Sequence, residues 1–335
     1  MDSSLFYFIL LFFSFVLSLF LSRIIVSHFI KIISKTKFLG KDINKINKPF
    51  VCELGGIPVF LSFIISILFV VLLNYLLVII FNLDFSLVNL LEFSLILLTV
   101  FLISFVGFVD DILGWKKGIT QTQHFILPLI LSIPIIIYVL INDYSSIYIP
   151  AYGFLQVGLI YAFLFVPVAI TATANAFNIL AGFNGLEAGM AIIVFLTISF
   201  FSLLNRNFTL LLILFAWVGA LLGFLRYNQF PAKIFPGDII TLINGVLVGI
   251  SAIVLKLEFL IGFLIILYII EFIIKLKHKF KTECFGIIQK SGIIKPDPKG
   301  GSLTHFILKQ HKFTEKRFVN TLYIIQGIIS IISIF

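Results

Sequence analysis

Five carboxylates and a group of amides interrupt a chain otherwise dominated by Phe, Ile, Leu and Val, and residues of these types could hold a divalent cation or a polar ligand. Residues 105–118 read FVGFVDDILGWKKG. Adjacent Asp110 and Asp111 repel one another at the end of an apolar run. A hard divalent cation, or the neighbouring Lys116 and Lys117, would relieve that repulsion; the alternative is a helix that ends in Asp-Asp and is simply solvated. In FPGDIITLINGV, residues 235–246, Asp238 follows Pro236 and Gly237 and opens a second apolar run. It reads either as an N-cap accepting backbone N–H bonds or as a carboxylate holding Mg2+ against a substrate phosphate. The stretch 175–189 reads NAFNILAGFNGLEAG. Asn175 and Asn178, three apart, share one face at a helix end, where their amides could meet a metal, a sugar or each other. Asn184 and Glu187 have the spacing of an N-cap and its N3 partner, so NGLE reads as a capping-box variant. Asn175, Asn178, Gly182, Gly185 and Gly189 exceed what a plain turn needs and suggest a polar re-entry shaped around a ligand. Glu53, in CELGG, completes the set. Each of Glu53, Asp110, Asp111, Glu187 and Asp238 lies beside glycines or at the end of an apolar run, where a charge is costly unless it faces a polar cavity.

The elements that must position these residues are membrane helices. The 335-residue chain is 61% hydrophobic and 12% charged, with a mean hydropathy of +1.19, far from the roughly 25% charged residues of a soluble domain. About ten runs are long enough to span a bilayer, and in hydrocarbon such runs satisfy their backbone groups as helices. They fall near 5–33, 56–81, 87–108, 122–141, 155–173, 186–204, 208–225, 239–255, 258–275 and 317–335. The expected fold is an all-α polytopic membrane protein, one integral-membrane domain over residues 1–335, with its site on cytoplasmic loops and helix ends. All of the 24 Lys and Arg residues except Arg206 and Lys256 then share one side. That bias makes the rich side cytoplasmic and puts both termini opposite. The formal charge of +9 is mainly this topology signal, though a basic rim also attracts lipid headgroups and phosphorylated substrates. No soluble basic fold for nucleic acid is visible. Cys52 and Cys284 lack the spacing of a zinc site. Asp84, Asp143 and Glu258 in short outer loops, and Asp42, Glu283, Asp297 and Glu315 among lysines, read as solvated charges.

FVDDILGW, NAFNILAGFNGLEAG and FPGD, in this order and on one membrane side, resemble the polyprenyl-phosphate N-acetylhexosamine-1-phosphate transferases. The likeness is strongest to the eukaryotic and archaeal UDP-GlcNAc:dolichyl-phosphate GlcNAc-1-phosphate transferases. It runs from about Glu53 to the last cytoplasmic loop. The resemblance implies transfer of GlcNAc-1-phosphate from UDP-GlcNAc to polyprenyl or dolichyl phosphate, with Mg2+ (Mn2+ as the substitute) as cofactor and UMP as product. It implies that Asn178 and Asp238 ligate the metal, and that Asp110 and Asp111 organise the site and position or deprotonate the lipid phosphate. It further implies that Asn184 meets the uracil, that Glu53 lines the nucleotide-sugar site, and that Trp115 stands near the lipid-phosphate entrance. Asn175, Glu187, Lys116 and Lys117 join the substrate-binding set. Membrane lipids are partners, a homodimer is compatible, and the membrane is an archaeal plasma membrane or an endoplasmic reticulum.

Two departures stand out. Relatives carry a diphosphate-contacting lysine where this chain has His124, so either the histidine is protonated beside the phosphates or Lys116 or Lys117 substitutes. The loop after the ninth run lacks the family's His-x-Arg; His278, Lys279, Lys281 and His305 are its weak replacements. The competing classes are a secondary transporter, which expects ionisable residues near the bilayer midplane, and a noncatalytic scaffold, which leaves the three motifs unexplained.

Overall fold

Backbone that meets only hydrocarbon must bond to itself, and the long apolar runs accordingly form helices. The computed structural model describes residues 3–81, 88–114 and 118–335. Its helices are α1 (Ser3–Ile33), α2 (Gly56–Phe81), α3 (Leu90–Leu113), α4 (Gln121–Leu131), α5 (Ile133–Ile141), α6 (Val166–Ile179), α7 (Leu186–Leu204), α8 (Phe208–Asn228), α9 (Gly237–Leu255), α10 (Glu258–Leu264), α11 (Ile266–Lys277), α12 (Leu303–Gln310) and α13 (Glu315–Ile334). Three antiparallel hairpins lie in the connections: β1 (Leu39–Lys41) with β2 (Phe50–Cys52), β3 (Ser146–Ile149) with β4 (Gly153–Gln156), and β5 (Ile287–Ile288) with β6 (Ile294–Lys295). Among the described residues nine helical segments are long and apolar enough to cross a membrane, α4 and α5 counting as one, and the bent pair α10 and α11 makes a tenth. The protein is an integral, polytopic membrane protein.

Several expected boundaries move. The run expected over 155–173 crosses instead as Tyr161–Ile179, because Gly153 and Gly158 adopt positive φ and turn residues 146–156 into a hairpin. The shift carries Asn175 and Asn178 into the last turns of α6. The run expected over 87–108 continues to Leu113, which places Asp110 and Asp111 inside α3 rather than in a loop. The run over 258–275 is broken by 77°. Gln326 of α13 donates to the Leu264 carbonyl at 2.9 Å, satisfying a group at the break.

Helix α9 forms the centre, buried nearly throughout from Ile239 to Leu255. Small residues let backbones approach where no hydrophobic effect drives helices together in lipid. Gly249 of α9 packs on α6, where a Cβ would stand 3.2 Å from Ile170 Cα. Gly223 of α8 faces α1 in the same way, with a Cβ 2.6 Å from the Leu19 carbonyl. Trp217 of α8 donates to Asn244 of α9 at 2.8 Å, a buried interhelical bond.

Two residues expected to be solvated or incidental have structural partners. Glu258 is half-buried and accepts a hydrogen bond from the Tyr161 hydroxyl, so it is not a free loop charge. Cys284 is buried, its Sγ 3.3 Å from Glu271 Oε1 and 3.0 Å from the Ile179 carbonyl. Burial, reinforced by the Glu271 charge, pushes the Cys284 thiol up to about 12. The thiolate is the reactive form, so Cys284 of the folded protein resists maleimide at pH 7.5 and is labelled once denaturant opens the loop. Mass spectrometry of the labelled peptide reads this directly.

Candidate active site

The site begins with a close crossing of α3 and α9. Gly107 of α3 leaves no side chain between the helices, and a Cβ there would lie 2.8 Å from Asp238 C and Ile239 N. At the start of α9, Gly237 has φ +71°, and a side chain on it would collide with the Asp111 carboxylate. With both positions bare, Asp111 reaches the end of α9. Its Oδ1 accepts the Asp238 N–H at 2.7 Å and its Oδ2 the Ile239 N–H at 3.3 Å. The first N–H groups of a helix lack partners within it and carry partial positive charge, so Asp111 caps α9 from a neighbouring helix. Of the two readings of Asp238, the N-cap one does not hold: the cap position is Pro236, and Asp238 stands in the first turn with its side chain free for other work.

That work is at the junction of four helix ends. Among the described residues, Asp110, His124 and Asp238 form a group whose metal-capable atoms all lie within 4.8 Å of one another. His124 Nε2 stands 3.5 Å from Asp110 Oδ2 and 4.0 Å from Asp238 Oδ2. Asp238 Oδ2 also receives the Asn178 Nδ2 donor at 3.3 Å, and the Asn178 Oδ1 accepts from Thr241 at 3.0 Å. Asp110 Oδ1 accepts the Ile119 N–H at 2.5 Å, tying the chain that enters α4. The start of α4 is fixed by a capping box between Thr120 and Gln123, and Asn175 of α6 donates to the His124 carbonyl at 3.0 Å. Asn175 therefore holds the helix that carries His124.

Two carboxylates this close repel unless a proton or a cation lies between them. Two carboxylates and an amide oxygen form a hard donor set that fits Mg2+ or Mn2+. For Asn178 to ligate, its amide turns over so that Oδ1 faces Asp238. The imidazole is the poorer partner for Mg2+ and the better one for an anion. A signal for Thr241 was present in the sequence: it lies three residues after Asp238 and so shares its helix face.

A second polar network holds the 182–185 loop from below. Asn184, 5% exposed, accepts from Lys45 Nζ at 3.0 Å and from the Ala232 N–H at 2.9 Å, and donates to Asp42 Oδ2 at 3.2 Å. Its backbone N–H donates to Glu315 at 2.8 Å, and Lys45 bridges Glu315 and Asp42. The Tyr323 hydroxyl of α13 donates to the Gly185 carbonyl at 2.5 Å. The capping-box reading is corrected here: Gly185, at φ +86°, is the N-cap of α7, and Glu187 reaches back to the Gly182 N–H at 2.6 Å. Asp42 and Glu315, expected in solvent, are buried. Losing one partner of a buried ion pair typically costs about 3–5 kcal/mol. Lys45→Met is accordingly expected to lower thermal stability sharply, with Lys45→Met/Glu315→Gln recovering part of it, as read by unfolding in detergent.

Beside the metal-capable cluster opens a cleft lined by His124, Asn175, Asn178, Lys275, Phe280 and Thr282. Glu53, half-buried after β2, packs against Gly40, and burial raises its carboxyl above the ordinary value. His278, Lys279 and Lys281 are exposed. His305 is 2% exposed, with Nε2 on the Phe285 carbonyl at 2.8 Å, so it braces the loop. Trp115, Lys116 and Lys117 lie outside the described residues.

The chain matches glycosyl transferase family 4 over residues 93–256. It is 34% identical, over 320 residues, to a protein of Saccharolobus solfataricus provisionally named UDP-N-acetylglucosamine–dolichyl-phosphate N-acetylglucosaminephosphotransferase, covering 95% of this chain and 94% of that one. A protein of Sulfolobus acidocaldarius with the same provisional name is 34% identical over 302 residues, 90% of this chain and 88% of that one. The phospho-N-acetylmuramoyl-pentapeptide-transferase of Streptococcus agalactiae is 31% identical over 268 residues, 76% of each chain.

Proposed function

Because the chain belongs to glycosyl transferase family 4, we propose that it transfers GlcNAc-1-phosphate from UDP-GlcNAc to a polyprenyl phosphate of the dolichyl type. An oxygen of the lipid phosphate attacks the β-phosphorus of UDP-GlcNAc. The bond from that phosphorus to the bridging oxygen breaks, UMP leaves with the electron pair, and the product is lipid-diphospho-GlcNAc. The names of the two archaeal relatives support this donor and acceptor. The observation that carries the reading is the meeting of Asp110, His124, Asn178 and Asp238, from four helices, with His124 and Asn178 also lining the neighbouring cleft.

The nucleophile is a phosphate monoester with a second pKa near 6, largely ionised at neutral pH, so a strong base is not required. The barrier is the approach of two anions, and catalysis is chiefly positioning and charge compensation. Asp238, Asp110 and the Asn178 amide oxygen would hold a bound Mg2+, which would supply Lewis-acid charge at the diphosphate. Asp111 fixes the start of α9 and with it the direction of Asp238. His124 stands where its Nε2 can donate to a phosphate oxygen. The cation-rich end of the bundle, which carries the site, faces the cytoplasm in this reading.

The test is purified protein with polyprenyl phosphate, Mg2+ and UDP-GlcNAc, followed by UMP release, with UDP-GalNAc and UDP-MurNAc-pentapeptide as alternative donors. UMP formed with UDP-GlcNAc and not with the others supports the assignment. UMP formed only with UDP-MurNAc-pentapeptide moves the chain to the chemistry named for its bacterial relative.

A further inference from the structure

The lining of the cleft includes a cation that the sequence counts as one of many basic residues at a helix end. Lys275 lies in the last turn of α11 with Lys277, and His278, Lys279 and Lys281 follow. Those neighbours are exposed, whereas Lys275 is turned inward and 5% exposed. Among the described residues that line the cleft, it is the one lysine or arginine.

The Glu271 partner does not by itself explain a buried lysine here. Glu271 Oε1 is 3.7 Å from Lys275 Nζ. That carboxylate already accepts from the Leu303 N–H at 2.6 Å, from the Ser302 hydroxyl at 3.0 and 3.1 Å, and lies 3.3 Å from Cys284 Sγ. A carboxylate so well supplied with donors is stabilised without a lysine. Lys275 also donates to the Thr282 carbonyl. An ammonium has three donors, so with Glu271 and Thr282 holding the group in place one remains for the cleft. The same cleft is lined by His124 and Asn178, the latter bonded to Asp238. A diphosphate drawn to this end would meet two carboxylates, and one divalent ion does not offset the combined negative charge.

We propose that Lys275 is a substrate-contacting residue that donates to the diphosphate of the nucleotide sugar, an inference that rests on the transferase reading above. Glu271 and Thr282 orient it, and the cleft wall from Phe280 to Thr282 keeps it from bulk water. Lysine serves phosphate as a point charge, without the planar fork of arginine.

The experiment compares wild type with Glu271→Gln/Lys275→Met, which removes both charges so that none is left buried alone, and with Lys275→Arg. Binding of UDP and of uridine is measured by calorimetry at fixed Mg2+, alongside UMP release. Loss of a hydrogen bond to a charged group predicts UDP binding weakened about 10-fold or more in the double variant, with uridine binding unchanged. Lys275→Arg retains most of the UDP affinity. UDP affinity equal to wild type in the double variant overturns the proposal and makes Lys275 a partner of Glu271 alone. Equal weakening of UDP and uridine overturns it too, since the wall itself has then shifted. A wild type that binds UDP yet releases no UMP with any donor rejects the transferase reading while leaving the Lys275 contact to be judged by binding. A wild type that binds no UDP rejects both.

Discussion

Asp238→Ala is expected to abolish UMP release and leave the protein folded. The side chain of Asp238 belongs to the cluster with Asp110 and His124 and accepts from Asn178. Its backbone N–H, which survives the substitution, is the group that Asp111 caps. Chemistry and architecture are therefore carried by different atoms of one residue. With Asp238 as the proposed metal ligand, its removal from a phosphoryl-transfer site forfeits several kcal/mol of charge stabilisation. A loss of about 10³-fold in turnover corresponds to about 4 kcal/mol. Stability moves the other way, because the alanine variant relieves the repulsion between Asp110 and Asp238, and an active site that opposes its own folding is the ordinary trade. The paired measurement is UMP release and thermal unfolding in the same detergent preparation. A variant with near-normal turnover would remove Asp238 from the metal set; one that is inactive and unfolded would show that the side chain is structural. Asn178→Ala is expected to follow the same direction.

Parts of this site were legible in the sequence because polar residues in a hydrophobic run have few explanations. Asp110, Asn178 and Asp238 stand out for that reason, and the folded chain brings them together from α3, α6 and α9. Asp42 and Glu315 gave no such signal. A carboxylate among lysines looks solvated, and the partner that buries Glu315 is Lys45, 270 residues away along the chain. The NGLE pattern met the local rule for a capping box, yet Gly185 at φ +86° took the cap and left Asn184 to the Lys45 network. Lys275 was hidden by a true regularity, since basic residues do accumulate at such helix ends. The break between α10 and α11 could not be read locally either, because Ile265 sits in an unbroken apolar run and the carbonyl before it is satisfied by Gln326 from the last helix.

Asp111→Asn is the second large effect, and it separates a positioning residue from a base. Both Asp111 oxygens are taken by N–H groups of α9, at 2.7 and 3.3 Å. A residue so engaged acts on the reaction through the direction of Asp238. Asparagine keeps one acceptor, loses the charge that favours a helix N-terminus, and turns an N–H donor toward backbone donors. The start of α9 then relaxes, and Asp238, the proposed metal ligand, moves with it. Loss of a residue that orients a metal ligand typically costs 10- to 100-fold in metal affinity or activity. The Mg2+ activation curve of Asp111→Asn therefore shifts to higher concentration by about that factor, and saturating Mg2+ restores much of the turnover. Asp111→Ala shows the same shift, larger. If Asp111 were instead the base for the lipid phosphate, Mg2+ would restore nothing, and the fall in turnover would depend on pH through the ionisation of the acceptor. Gly237→Ala gives an independent check on the geometry. Its added methyl occupies the space of the Asp111 carboxylate, so it should reproduce the Mg2+ shift without changing any charge.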